Sequence, residues 1–404
     1  MAKLRFHWLD GAACVSFLAY SASAVLTPIC LVILASELSL TLAQGGTIEV
    51  ARSLLILLVL LASGFAAARW GKASVLGMGL VVLGVGLGLY AMAPVYGVIV
   101  MAAALVGLGG GVVEGLINPL VQELHPSDSG RYLNIVNGFW SVGVLLTVLI
   151  TGDLLTRNVS WRVIAASLAG FSVLAGGLFL FLARHAPHVI SHTAGDVLGH
   201  KREILTTGRF WLFVPMMFLA GGAEGAFTFW SASYIQLHHQ GLPRAGGIGT
   251  ACFAGGMIVG RFAGGWLIEQ RHLRRFIILS ALAGLGISFL VPKVQSLETL
   301  YTLLVLAGLS VACFWPSIQS YAVDRLPVEP TALFILLSCA GIPGFAFVSW
   351  LMGFVGDRAG LRASFFVVPA FFALLLFIVI VERACRPRST DPPGEAIQER
   401  PPER

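Results

Sequence analysis

The sequence predicts an all-α polytopic membrane protein in which twelve transmembrane helices form two six-helix pseudo-repeats. Three observations predict this fold: an apolar composition, long uncharged segments, and short patterns that recur about half a chain length apart. The residues are 57% hydrophobic and only 11% charged, whereas a soluble chain has about 25% charged residues. Mean hydropathy is +0.86. No soluble core could cover this much apolar surface, so we expect lipid to surround it.

Charged residues divide the chain into apolar segments of similar length. About 20 apolar residues cross one hydrocarbon core of ~30 Å. The 41 uncharged residues from Ala73 to Val113 therefore predict two crossings, with a turn near Pro94. The uncharged run from Gly11 to Ser36 is too long for a signal sequence and predicts a retained first helix. The whole chain gives twelve spans: 9–36, 48–68, 74–93, 96–122, 131–155, 161–183, 209–236, 245–268, 274–292, 297–323, 329–355 and 361–382.

The distribution of positive charge predicts the orientation in the membrane. With the amino terminus inside, the cytoplasmic segments contain 18 of the 26 Lys and Arg residues, as the positive-inside rule requires. We therefore expect both termini in the cytoplasm and the chain in a bacterial inner membrane. The predicted domains are a six-helix bundle over 1–183, a cytoplasmic linker over 184–208, a second bundle over 209–382, and a disordered tail over 383–404.

Short patterns recur in the two predicted halves. Pro119-Leu-Val-Gln122 returns as Pro316-Ser-Ile-Gln319, 197 positions later, and Gly152-Asp153 returns as Gly356-Asp357, 204 positions later. Two parallel repeats of six helices predict offsets of this size. The pattern supports a transporter fold, because many such folds are built from internal repeats.

The loops after spans 2 and 8 resemble the signature of the major facilitator superfamily, G-x-x-x-(D/E)-R-x-G-x-(R/K)-(R/K). The first copy has Ala68 in place of the acid, and the second has His272 in place of the second glycine. In that family these loops close the inner gate by charge pairing. The resemblance therefore implies structural or gating roles for the matching residues of the two loops, Arg69 and Lys72 in the first and Glu269, Arg274 and Arg275 in the second.

Several spans are similar to the fucose–galactose–glucose proton symporters. The patterns that carry this similarity are, in chain order, Glu114-Gly-Leu-Ile-Asn118-Pro119, Ser129-Gly130 through Asn134, Gly222-Ala223-Glu224, Gly260-Arg261-Phe262 through Ile268, and Met352 through Gly360. The resemblance implies a sugar symporter driven by protons, with Glu114 as a sugar-contacting or proton-linked acid. That family has an acid in span 1 before a Leu-Pro pair, whereas Ser21 to Pro28 contains none. The proton pathway is then absent or carried by another acid, such as Glu224.

Ionisable residues inside predicted spans are candidates for transport chemistry, because charge at membrane depth is costly. A carboxyl group withdrawn from water can bind and release a proton, and as a carboxylate it accepts hydrogen bonds from hydroxyls. Glu114 and Glu224 are therefore the predicted proton-coupling residues, with a helix-packing hydrogen bond as the alternative for each. Arg261 keeps its charge. It either forms an ion pair, with Glu224 or a loop acid, or contacts the substrate.

Aromatic rings can stack on sugar faces, and amides can bond to hydroxyl groups. For any single aromatic residue, packing or anchoring at the membrane interface is the alternative. The predicted substrate-binding set comprises Glu114, Asn118, Gln122, Asn137, Trp140, Glu224, Trp230, Trp315 and Gln319.

The first functional hypothesis is a secondary transporter that takes up a monosaccharide or similar small polar solute together with protons. The alternative is an exporter or carrier of a non-sugar solute, such as a drug-like or anionic metabolite. A non-transporting membrane sensor is a third reading, disfavoured because the tail is too short for a signalling domain. The six cysteines show no ligand-like spacing. We expect no metal, cofactor, enzymatic activity or nucleic-acid partner, and we expect a monomer whose partners are its solute, protons and lipid.

Overall fold

The computed structural model describes residues 6–125, 129–184, 203–267, 270–326 and 330–384. Within these ranges the chain forms α-helices joined by short turns and three 3-10 turns. Apart from one short helical turn over 203–206, these ranges contain twelve helices, two of which are broken into parts a and b. Their bounds are α1 Trp8–Leu38, α2 Leu42–Trp70, α3 Lys72–Met92, α4 Tyr96–Leu124, α5 Ser129–Thr156, α6 Trp161–Ala183, α7 Phe210–His238, α8 Pro243–Leu267, α9 Leu273–Leu290, α10a Leu297–Val311, α10b Phe314–Val323, α11 Pro330–Ala359, α12a Leu361–Ser364 and α12b Val368–Ala384.

The predicted all-α membrane fold is confirmed. Eleven segments of the described chain are long and apolar enough to cross a membrane, with α10a and α10b counted together and α12a and α12b counted together. The eleven do not include α8, which contains eight glycines and Arg261. That helix nevertheless packs along its length against α5, α7 and α10a.

The second helix begins six residues before its predicted start at residue 48. Thr41 and Gln44 form a capping box: the Thr41 hydroxyl accepts a hydrogen bond from the Gln44 N–H at 3.2 Å, and the Gln44 side chain accepts one from the Thr41 N–H at 2.9 Å. Such reciprocal bonds satisfy backbone donors that the first turn leaves free. Glu49 and Arg52 consequently lie two to three turns inside α2.

Buried apolar residues form two large clusters, one mainly from α1–α6 and the other mainly from α7–α12. We call α1–α6 the first half and α7–α12 the second half. The halves meet where α2 packs on α11, α5 on α8 and α1 on α7. The division into two bundles joined by a linker stays a prediction. Most of the predicted linker (185–202) and of the tail (385–404) lies outside the described residues.

Close helix packing in the first half depends on Gly107 of α4. A Cβ atom there would lie 2.1 Å from the backbone oxygen of Arg52 in α2, and a backbone atom cannot move aside as a flexible side chain can. We expect Gly107→Ala to lower the free energy of unfolding by about 1–3 kcal/mol, the usual cost of overpacking. Thermal unfolding in detergent measures this loss. The matched control is Gly88→Ala, since a Cβ at Gly88 would meet nothing within 4 Å; equal stability of the two variants would contradict the packing argument.

Candidate functional site

The two predicted proton-coupling acids approach each other from opposite halves. Glu114 lies in α4 and is partly exposed, while Glu224 lies in α7 and is only 6% exposed. Glu114 interacts electrostatically with Glu224 and with Arg261 of α8. The structure therefore brings three of the predicted residues together at membrane depth, where two-repeat transporters hold their substrates.

Arg261 joins four helices at this site. Its Nη2 atom lies 3.5 Å from Oε1 of Glu224, its Nη1 donates to the Ser141 hydroxyl at 3.2 Å, and its Nε donates to the Ala312 carbonyl at 3.2 Å. The guanidinium carbon is 5.9 Å from the centre of the Trp140 ring, within the range of a cation–π contact. Of the two readings of Arg261, the ion pair with Glu224 is the one present in this conformation.

Glu114 lies beside a tyrosine and a second arginine of the first half. The ring of Tyr20 in α1 packs on Gly110, one turn before Glu114, where a Cβ atom would lie 2.7 Å from the ring. The Tyr20 hydroxyl interacts with both the Glu114 carboxyl group and the Arg52 guanidinium. Glu114 thus faces positive charge from both halves.

Sequence reasoning missed a buried ion pair in α2. Glu49 accepts two hydrogen bonds from Arg52, at 2.6 Å from Nη2 and 2.9 Å from Nε, and a third from the Ser53 hydroxyl at 3.0 Å. The two ionic side chains are 1% and 11% exposed. Both residues fall within the first five residues of the predicted span 48–68. The available signal was the spacing, since residues three apart share one helix face.

The predicted amides bond mainly to other helices. The Asn137 side chain donates to the Asn118 side chain and to the Leu133 carbonyl, both at 2.8 Å, which ties α5 to α4. Gln319 donates to the Ser338 hydroxyl at 3.1 Å, which ties α10b to α11. Gln122 is exposed. A substrate would have to compete with the two interhelical bonds to reach the side chains of Asn118, Asn137 and Gln319.

The three predicted tryptophans differ in position. Trp315 of α10b interacts with Glu224 and covers Gly341 of α11, where a Cβ atom would lie 2.4 Å from its ring. Trp140 lies beside Arg261. Trp315 therefore adjoins an acid of the site, and Trp140 adjoins its arginine.

Trp230 instead lies in the packed core of the second half. Its indole N–H donates to the Ser349 carbonyl at 3.1 Å, and none of its surface is exposed. It follows Glu224 by six residues, which places it about 120° away around the helix. Its predicted contact with substrate has no support in this conformation.

Two of the predicted gating residues, Lys72 and Arg274, make contacts within their own halves. Lys72, at the start of α3, forms an ion pair with Glu123 at the end of α4. Arg274 of α9 donates to the Val379 carbonyl of α12b at 3.2 Å. Arg69 and Arg275 are exposed, and Glu269 lies outside the described residues. In this conformation, then, Lys72 and Arg274 do not join the two halves through these contacts.

Helices in two sets of six, with charged residues buried between them, have the architecture of two-repeat membrane transporters. A family model of the Major Facilitator Superfamily matches residues 12–292 and 243–403. The chain belongs to this superfamily, and the predicted family is confirmed.

Two curated relatives match part of the chain. Membrane protein MosC of Rhizobium meliloti is 25% identical over 270 residues, which cover 65% of this chain and 63% of MosC. Efflux pump FUS6 of Gibberella moniliformis (strain M3125 / FGSC 7600) is 30% identical over 123 residues, which cover 30% of this chain and 22% of the pump. The chain thus spans less than two thirds of the length of either relative.

Solved structures share the fold at low sequence identity. A bacterial homologue of the human lysosomal transporter Spinster, in an inward-facing and unoccupied conformation, has a TM-score of 0.80 and 14% identity, covering 93% of this chain and 96% of that chain. The same homologue in an inward-facing and occupied conformation has a TM-score of 0.76 and 12% identity, with the same coverage. A variant of the E. coli fucose:proton symporter FucP has a TM-score of 0.63 and 18% identity, covering 93% of this chain and 98% of that chain.

Proposed function

We propose that this protein is a proton-coupled symporter that moves a monosaccharide or similar small polar solute by alternating access. The observation that carries the proposal is the position of Glu114. Its carboxyl group interacts with Tyr20 and Arg52 of its own half and with Arg261 of the other half. An acid placed in this way can bind a proton, and as a carboxylate it can accept hydrogen bonds from a bound solute.

The charge balance of the site supports proton coupling. Glu49, Glu114 and Glu224 meet two guanidinium groups, those of Arg52 and Arg261. One bound proton makes this group of five neutral. Closing a membrane cavity around an unbalanced charge is costly. We therefore infer that the site closes readily only after Glu114 has bound a proton.

The groups around Glu114 suit a solute with several hydroxyl groups. A carboxylate accepts hydrogen bonds from hydroxyls and an arginine donates them. The ring of Trp140 lies beside Arg261, and Trp315 interacts with Glu224. Apolar faces of such a solute can stack on these rings. The fold shared with a solved fucose:proton symporter adds support at the level of architecture.

The second candidate is an exporter or carrier of a non-sugar, anionic solute. Two guanidinium groups in one site favour it, because a permanently charged arginine binds carboxylate or phosphate groups well. One curated relative is named an efflux pump. On this reading the anion would replace one of the three glutamates as the partner of an arginine.

The test is proton movement in proteoliposomes on addition of fucose, galactose, glucose and other hexoses. Alkalinisation of the outer medium that depends on one sugar supports symport. Folded protein that responds to no hexose overturns the sugar proposal. Movement of anionic solutes by the same vesicles would then establish the second candidate. We further propose that the protein acts as a monomer in a bacterial inner membrane, with both termini in the cytoplasm.

A further inference from the structure

Two matching contacts join the halves at the end of the molecule that the topology predicts to be outside. Near its carboxyl end α5 carries Gly152-Asp153, and α11 carries Gly356-Asp357. Each Gly-Asp pair meets the first residues of a helix from the other half, α8 and α2 respectively. The repeated sequence pattern therefore corresponds to a repeated interaction.

Asp357 caps the start of α2 across the boundary between the halves. Its two carboxylate oxygens accept hydrogen bonds from the backbone N–H groups of Leu42 at 2.7 Å and Ala43 at 2.9 Å. These N–H groups have no acceptor within their own helix, and the helix dipole makes this end positive. Hydrogen bonds to a carboxylate are roughly twice as strong as those between neutral groups.

Asp153 makes the corresponding contact with α8. It forms an ion pair with Arg244, the second residue of α8, and accepts a hydrogen bond from the Arg244 Nε at 2.8 Å. The Arg244 backbone N–H donates to the Thr156 hydroxyl at 2.8 Å. Asp153 also pairs with Arg157 of its own helix at 2.8 Å. The Arg244 side chain is 56% exposed, and exposed ion pairs contribute little free energy.

Small residues let the same helices approach closely below the aspartates. A Cβ atom on Gly46 of α2 would lie 2.4 Å from the Ser349 carbonyl of α11, and one on Gly247 of α8 would lie 2.4 Å from the Val148 carbonyl of α5. The two glycines are 201 positions apart (247 − 46), and so are the two carbonyls (349 − 148). The halves are therefore packed at this end in two equivalent places.

We propose that Asp153 and Asp357 form a latch that holds the outer side of the transporter closed and sets how often the site opens outward. Alternating access requires the halves to part at this end. Both carboxylate contacts cross the boundary, so they stabilise the closed arrangement alone and shift the balance between the two states. Asp357 contributes more than Asp153, because its bonds go to unsatisfied helix N–H groups rather than to an exposed side chain.

Spin labels at outer positions of the two halves report the separation directly. The six native cysteines are first replaced, and cysteines are introduced at Val95 of the first half and Gln295 of the second, which are both exposed. Distances are then measured in liposomes without substrate. We expect Asp357→Ala to raise the ratio of separated to closed molecules about fivefold, the effect of losing one helix cap. Asp153→Ala should raise this ratio by a smaller factor. The double variant should raise it by the product of the two factors, because the two sites are far apart.

The matched control is Glu298→Ala, which removes an exposed acid at the start of α10a whose side chain has no bond to the described part of the chain. Asp357→Asn serves if the alanine variant unfolds, because it keeps the shape and lacks the charge. An unchanged distance distribution in folded Asp357 variants overturns the latch. The latch is also overturned if an impermeant maleimide labels Val95→Cys from the cytoplasmic side only, because the two aspartates would then lie at the inner end of the molecule. Neither result depends on the identity of the solute.

Discussion

Glu114→Gln is expected to abolish uphill transport driven by a proton gradient, reducing it to the level of liposomes without protein. Glutamine keeps the shape of the side chain but cannot bind and release a proton. The site would then carry two carboxylates, Glu49 and Glu224, against the two arginines, and would be neutral at every pH at which these four stay charged. Exchange of labelled for unlabelled solute should survive, because a neutral site can still close.

The measurement compares accumulation and exchange in proteoliposomes with an imposed pH gradient. Glu203→Gln is the control, because it removes an exposed carboxylate outside the spans. Accumulation by Glu114→Gln at the rate of the unmodified protein would contradict the assignment. If Glu224→Gln alone loses accumulation and keeps exchange, the coupling acid is Glu224. Loss of exchange in both variants would instead indicate that the two acids chiefly bind the solute.

Arg52→Met is expected to lower the free energy of unfolding by about 3–5 kcal/mol, the usual cost of removing one partner of a buried ion pair. Glu49, which is 1% exposed, would lose both hydrogen bonds from the guanidinium and keep the one from the Ser53 hydroxyl. A charged carboxylate cannot be left there without water, so the helix must shift or the acid must take up a proton. The unfolding midpoint of the purified protein in detergent measures the loss.

The double variant Glu49→Gln, Arg52→Met tests the reason for that loss. It removes both charges, so most of the stability should return, since an uncharged pair of similar volume is often as stable as a buried ion pair. Arg52→Lys should fall between the two, because lysine keeps the charge but cannot bond to both carboxylate oxygens as the planar guanidinium does. Equal stability of Arg52→Met and the unmodified protein would contradict a structural role for the pair.

Some of the site is accessible to sequence reasoning, and some is not. Glu114 stands out because it follows 41 uncharged residues. Arg261 stands out because it lies in a span. Glu49 and Arg52 stand out less, because they fall within the first five residues of the predicted span 48–68, and only the capping box at Thr41 shows that the helix starts six residues earlier. Trp230 is predicted as a binding residue because it is six residues from Glu224. That separation places the two side chains on different faces of the helix.

The gating prediction shows a similar limit. Basic residues in the loops after spans 2 and 8 can be found from the sequence, but their partners depend on the conformation. Lys72 and Arg274 bond within their own halves here, whereas Asp153 and Asp357, at the opposite end, bond across the boundary. The sequence shows that the Gly-Asp pair recurs about half a chain length later. It does not show that each pair contacts a helix of the opposite half.

The sequence by itself determined the fold class, the family and the presence of acids at membrane depth. These properties follow from the length and polarity of each segment. A helix that crosses the lipid has no water around it, so it must be long and apolar, and any charged residue in it is costly. Only the tertiary structure decided which charges pair across helices. Arg261 meets Glu224 from 37 positions away, and Asp357 meets Leu42 from 315 positions away. Such pairs arise from helix packing, which brings distant segments within the few ångströms over which hydrogen bonds and ion pairs act.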